Sequence, residues 1–233
     1  MYDQNSIKNE ESKAKRVGKK VMFALFCVLF ASLVFIIFFR NAMMQPTSKM
    51  KQLIFNDELI SAKSEYNDEL AIYTLYEYNS NDSRNVFVIS NIRYIENIGQ
   101  FQFTLRWNNN VIERLMEKDG YSMSDIEGEL FRFAIADDTG RVYTEYEYLS
   151  DSKFQYGFRR IVFNGIDVEG IKSLSVLAFT TYEKEEILLS DAFDEIPLFV
   201  ASEHGAKYKM SKAEKNTSEA NSELVKVSYK FDD

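Results

Sequence analysis

Hydrolases and transferases of the common kinds need a nucleophile, a base and a charge stabiliser within reach of one another. This chain has few residues of the types that supply them. It holds one histidine, His204, and one cysteine, Cys27. The familiar zinc spacings require several such ligands, and a Ser-His-Asp triad would hang on His204, which stands where the apolar pattern gives way to polar sequence. GxSxG, GxGxxG and phosphate-cradling glycine loops do not occur. No catalytic residue, metal site or cofactor is assigned, and a non-enzymatic role is expected.

Carboxylates and aromatics remain. Asp137 and Asp138 sit in a turn sequence, Asp191, Asp194 and Glu195 cluster near Pro197, and Glu183, Glu185 and Glu186 crowd another segment. Neither DAFDE nor DDTGR has the alternating oxygen ligands of a calcium loop. A carboxylate pair for glycoside hydrolysis depends on a spatial separation that spacing along the chain does not supply. Tyr143, Tyr146 and Tyr148 are the candidate binding residues, because tyrosines on one flat face stack on sugars or contact a protein. Packing at the margin of a core competes with that reading and is the commoner use of tyrosine. Arg159 and Arg160 would pair with acids or clamp an anion, and a structural pair is the safer expectation.

The element that must position everything else is an apolar run. Residues 21–39 read VMFALFCVLFASLVFIIFF, without a charge and with Ser32 as the only hydroxyl. A helix over this stretch covers about 28 Å at about 1.5 Å per residue, close to the ~30 Å hydrocarbon core of a bilayer. A cleaved signal peptide is the main rival, but its apolar region is shorter and ends in a small-x-small site. Here the run ends in Phe38, Phe39 and Arg40, and the nearest cleavage region is Asn41, Ala42 and Met43.

Before the run stand Lys8, Lys13, Lys15, Arg16, Lys19 and Lys20; after it, over a similar distance, only Arg40, Lys49 and Lys51. Basic flanks stay in the cytoplasm, so the amino terminus is expected inside and the carboxyl-terminal bulk outside a cell membrane. From Asn41 onward the chain has 33 acidic and 21 basic residues, net −12. That sign disfavours nucleic acid and anionic head groups as partners and suits a soluble exterior. With Cys27 inside the run, the exported part has no disulfide, a weak pointer to a bacterial envelope.

The organisation expected is a basic cytoplasmic tail (1–20), a transmembrane helix (21–39), a stalk (41–51), one domain (52–200) and a polar, flexible tail (201–233), with 224–231 as a late strand candidate. Residues 100–107, QFQFTLRW, alternate apolar and polar side chains, so one face of a strand is buried and the other wet. Residues 70–78 and 86–94, with a turn at 79–84, and residues 159–165 and 173–182 also read as strands. Residues 130–136 and 141–149 flank Asp137, Asp138, Thr139 and Gly140, a hairpin whose turn places glycine in the left-handed position. Only residues 111–118 look helical, with Asn110 as cap and Gly120 as terminator.

Many strands and one short helix favour an antiparallel β-sandwich, immunoglobulin-like first, with a partly open barrel or jelly roll as the alternative. The plan resembles that of small bacterial envelope proteins, a likeness of architecture that carries no function. The reading that follows is a membrane-anchored extracytoplasmic binding or scaffolding domain acting with another envelope protein. The alternatives are a module for cell-wall glycan and an unusual carboxylate hydrolase.

Overall fold

The computed structural model describes residues 4–66, 69–77, 86–122, 129–181, 187–201, 205–215 and 224–231. It divides into two compact units, Met1–Gln45 and Pro46–Asp233. The first unit is one helix, α1 (Gln4–Met44). Its segment Arg16–Met44 is long and apolar enough to cross a membrane, and none of its best window is buried by protein. The Ser32 hydroxyl donates to the Val28 carbonyl at 2.8 Å. The one side-chain donor of the apolar run is thereby satisfied within the helix, as lipid requires.

The second unit is mostly β. Eleven strands are described: β1 (Ile72–Thr74), β2 (Val88–Ile95), β3 (Gln100–Asn108), β4 (Phe131–Asp137), β5 (Val142–Tyr143), β6 (Tyr146–Lys153), β7 (Tyr156–Phe163), β8 (Ser173–Thr180), β9 (Asp194–Val200), β10 (Ala206–Tyr208) and β11 (Val225–Val227). They form two sheets, ordered β10-β1-β2-β3-β7-β6-β11 and β5-β4-β8-β9, with antiparallel pairing throughout. Four short helices accompany them: α2 (Ser48–Lys51), α3 (Asp57–Glu65), α4 (Asn109–Lys118) and α5 (Lys212–Lys215).

The main core draws on both sheets. Phe101, Phe103 and Leu105 of β3 meet Phe131, Phe133 and Ile135 of β4 and Val176 and Ala178 of β8. Phe87 is its aromatic hub: it is wholly buried, and its ring lies 5.0 Å from Phe131, 5.4 Å from Phe133 and 5.9 Å from Trp107, all edge-on. Edge-to-face contacts add to area burial. Phe87→Ala is expected to cost about 3–5 kcal/mol, read as a lowered urea midpoint of Trp107 fluorescence, Trp107 being the only tryptophan.

The hairpin turn forms as its residues dictate. Asp137 Oδ1 accepts from the Thr139 N–H (2.9 Å), the Thr139 hydroxyl (2.6 Å) and the Arg141 N–H (2.9 Å), while Oδ2 accepts from Arg141 Nε at 2.7 Å. Gly140 has φ +91°, which a side chain would strain. Burial pushes the Asp137 carboxyl up, but the hydrogen bonds from Thr139 and Arg141 outweigh it and hold the group at about 2. A folded value below the unfolded one means stability that is present above the ordinary carboxylate range and is lost as pH falls through about 2. Asp137→Asn is expected to lower stability at pH 7 and to flatten the acid limb of a stability-versus-pH curve; an acid limb as steep as wild type contradicts this.

Several expectations are corrected here. The hairpin pairs β4 only with the two residues of β5; the strand expected over 141–149 breaks at Thr144 and Glu145, and β6 joins the other sheet. The cap of α4 is Asn108, whose side chain accepts from the Asn110 N–H at 3.0 Å, rather than Asn110. Helix α3 was not expected, although Asn56 caps it (Leu59 N–H, 3.1 Å) and Asp57 and Glu58 fill its first turn, a pattern that favours a helix start. Within residues 41–51, expected as a stalk, α1 runs to Met44 and α2 buries Met50.

Residues 201–233 were expected to be a flexible tail, but their described parts add β10 and β11 to opposite ends of the larger sheet. They also place Met210 and Tyr229 in hydrophobic clusters. The turn expected at 79–84 lies outside the described residues.

Candidate functional site

Strand β3 buries both faces. Its apolar residues face the main core, and Gln100, Gln102 and Thr104, the face expected to be wet, are also fully buried. The reason is the segment that leads from Pro46 to Asn56 across this face. Gln102 pairs with Ile54 as a backbone would: its Oε1 accepts from the Ile54 N–H and its Nε2 donates to the Ile54 carbonyl, both at 2.8 Å. Thr104 donates to the Met50 carbonyl at 2.5 Å, Arg93 Nη2 to the Lys51 carbonyl at 3.2 Å, and Gln100 to Asn56 Oδ1 at 3.0 Å. Thr47 donates to Asp151 Oδ2 at 2.7 Å.

The strap also buries Met50, Leu53, Ile54 and Phe55. It is an integral layer of the domain, tied by side-chain partners for the Met50 and Lys51 carbonyls and for both backbone groups of Ile54.

Arg159 and Arg160 occupy opposite faces of β7. Arg159 lies on the core side, 4.4 Å over the Tyr148 ring, and donates to the Phe131 carbonyl at 3.1 Å. Arg160 is fully buried on the strap side and donates to the Asn91 carbonyl at 2.7 Å, with Thr104 Oγ1 and Gln102 Oε1 each at 3.4 Å. Burial, and Arg93 nearby, push Arg160 down to about 9. Among the described residues neither arginine pairs with a carboxylate. Both act by filling space and tying down carbonyls, so neither clamps an anion at the surface.

The three tyrosines singled out in the sequence do not share an exposed face. Tyr146 and Tyr148 in β6 are 3% and 6% exposed, 6.2 Å apart, with Tyr146 5.2 Å from Phe163 and 6.2 Å from Phe133. Burial pushes the Tyr148 hydroxyl up to about 12, with help from its hydrogen bond to Glu129. Tyr143 is half-buried in β5 of the other sheet.

The carboxylates are likewise committed to structure. Asp138 Oδ1 accepts from the Lys172 and Ser173 N–H groups, and Asp194 Oδ2 accepts from Val86 and Phe87 (3.0 and 3.1 Å) at the entry to β2. Asp191 Oδ2 accepts from the Leu188 N–H. His204, Glu183, Glu185 and Glu186 lie outside the described residues. Among the described residues no three His, Cys, Asp or Glu side chains converge as metal ligands would.

What the sequence did not single out is an aromatic groove of about 390 Å³ lined by Tyr73, Leu75, Tyr94, Glu96, Phe199 and Gly205. Tyr73 and Tyr94 are cross-strand partners on β1 and β2, with rings 6.3 Å apart. Tyr94 stacks on Phe101 at 4.6 Å, and Phe101 reaches Phe199 of β9 at 6.4 Å. The row therefore runs from one sheet to the other. At the mouth, Lys207 sits 5.2 Å over the Tyr73 ring and 3.6 Å from Glu96. Burial, then Glu96 and Asp167, push the Tyr94 hydroxyl up to about 12.

Gly205 allows this closeness, because a Cβ there would stand 2.3 Å from the Thr74 carbonyl oxygen. The volume is in the range of natural ligand sites, and the walls are apolar with few polar groups. The sequence signal was thin, since Tyr73, Tyr94 and Phe199 lie far apart and only the β1–β2 register and the two-sheet packing bring them together. Compared with known proteins, the chain matches no family model, and neither a curated protein nor a solved structure matches it.

Proposed function

We propose that this chain is a membrane-anchored binding domain, held by α1 with its amino terminus in the cytoplasm and its β domain outside, where it engages another envelope protein without catalysis. The observation that carries the reading is the aromatic groove, a concave apolar surface lined by Tyr73, Leu75, Tyr94 and Phe199 where the two sheets meet. The apolar stretch of α1 and the basic residues that precede it support the anchor and its direction. An immunoglobulin-like arrangement is part of the proposal; two antiparallel sheets that share a hydrophobic core support it.

Orientation is tested with an impermeant maleimide on intact cells, in a Cys27→Ser background. Ser150→Cys is expected to be labelled at once, and Ser12→Cys only after permeabilisation; the reverse pattern sinks the proposed direction. Partner engagement is tested by co-purification from solubilised membranes. Tyr73→Ala combined with Phe199→Ala is expected to remove the partner while the domain still unfolds in one cooperative urea transition, since both residues are half-buried. A glycan reading is favoured by the same groove, because tyrosine faces stack on sugar rings. Retention of the purified chain on wall polymer, lost in the same double variant, would replace the protein partner with that ligand.

A further inference from the structure

A second cleft, on other elements, has different chemistry. It encloses about 400 Å³ and is lined by Glu129, Arg132, Thr181, Lys226 and Ser228, together with the backbone of β11. Strand β11 ends the larger sheet and pairs only with β6, so its outer N–H and C=O groups face away from the ladder.

The charges here are unequally engaged. Lys226 is held by Glu147 at 2.9 Å and Asp57 at 3.7 Å. Arg132 makes no ion pair or hydrogen bond with a described residue; its guanidinium carbon lies 5.3 Å from the centroid of the Tyr229 ring. Among the described residues its planar fork of donors is therefore not taken up by a carboxylate. Glu129 takes the Tyr148 hydroxyl on Oε1 and forms no ion pair with Arg132, although both line the same cleft. The Tyr229 hydroxyl is buried and has no hydrogen-bond partner among the described residues.

We propose that this cleft binds a small polar ligand with an oxyanion, carboxylate or phosphate, at one end and hydroxyl or ammonium donors at the other. Arg132 takes the oxyanion through its fork, the second carboxylate oxygen of Glu129 accepts from the donors, and the free edge of β11 completes the polar contacts; the Thr181 and Ser228 hydroxyls, which already donate to the Glu129 carbonyl and to Glu145, serve as acceptors. The overall acidity of the domain acts against an anion at long range, but screening confines that field to about 8–10 Å; within the cleft Lys226 is already paired with Glu147 and Asp57, so Arg132 alone carries the oxyanion end. The site is independent of the aromatic groove.

The test is calorimetric titration of the full chain in nanodiscs of zwitterionic lipid with glucosamine 6-phosphate, against glucosamine, which lacks the oxyanion, and inorganic phosphate, which lacks the donors. Glucosamine 6-phosphate is expected to bind at least about tenfold tighter than either, and Arg132→Ala to weaken it by about tenfold or more. Arg132→Lys should recover part of the loss, because the charge stays and the fork goes. Unchanged thermal midpoints in both variants separate lost recognition from lost fold. No binding of glucosamine 6-phosphate, equal binding of glucosamine, or indifference to Arg132→Ala overturns the proposal. Equal binding of inorganic phosphate overturns it too, by reducing the cleft to an adventitious anion site.

Discussion

Replacing Gln102 with leucine will destabilise the domain by about 3–5 kcal/mol, although the substitution adds an apolar side chain at a position that is 0% exposed. The amide closes a two-way bond with Ile54, its oxygen also faces Arg160 Nη2, and its nitrogen donates to Gln100 Oε1 at 2.7 Å. Leucine leaves the Ile54 N–H and C=O buried without partners, at about 1–3 kcal/mol for each orphaned group. It also removes an acceptor from a buried guanidinium that has no carboxylate to turn to. Networks of this kind lose more than single bonds suggest. Urea unfolding followed by Trp107 fluorescence reads the change, with Lys118→Ala, an exposed position, expected within about 0.5 kcal/mol of wild type. A loss under about 1 kcal/mol for Gln102→Leu would mean that the strap is not held by side-chain amides.

The second large effect lies at the other end of the chain. Removing residues 225–233 is expected to cost about 5 kcal/mol, enough to unfold a domain of ordinary stability on mild heating. The deleted strand pairs Val225, Lys226 and Val227 with Tyr148, Glu147 and Tyr146, and Thr144 donates to the Tyr229 carbonyl at 2.6 Å. Beyond it, Tyr229 enters the main core, and Phe231 packs 5.2 Å from Phe179 on the smaller sheet. One short segment therefore fastens the larger sheet to the smaller. Tyr229→Ala alone should cost about 3 kcal/mol. A truncated chain with the wild-type thermal midpoint would contradict this role.

Legibility followed the range of the interactions. Strand β3 was plain because Phe101, Phe103 and Leu105 alternate with polar residues, and the turn at Asp137 to Gly140 was plain because it closes within five residues. The burial of Gln100, Gln102 and Thr104 was not legible. Their partners, Met50, Ile54 and Asn56, lie some fifty positions away, and a polar face reads as solvated until something covers it. Helix α3 was hidden for the opposite reason, its local cap at Asn56 being outweighed by the β-rich stretch that follows. Tyr146 and Tyr148 could be read as core, rim or binding face, because tyrosine serves at all three, with packing the commoner use; the crossing of β6 into the larger sheet turned them inward. The aromatic groove depends on a register and on the packing of two sheets, and neither is written in any single segment.

The central claim is that the groove between β1, β2 and β9 is where the anchored domain meets a protein partner. It is tested most directly by placing a photocrosslinking amino acid at Tyr73 of the full chain in its native membrane, with the same probe at Glu113 on exposed α4 as the control. A discrete adduct with one envelope protein from position 73, absent from position 113 and lost on adding Phe199→Ala, is the predicted result. The same adducts from both positions, or none from position 73, would contradict it.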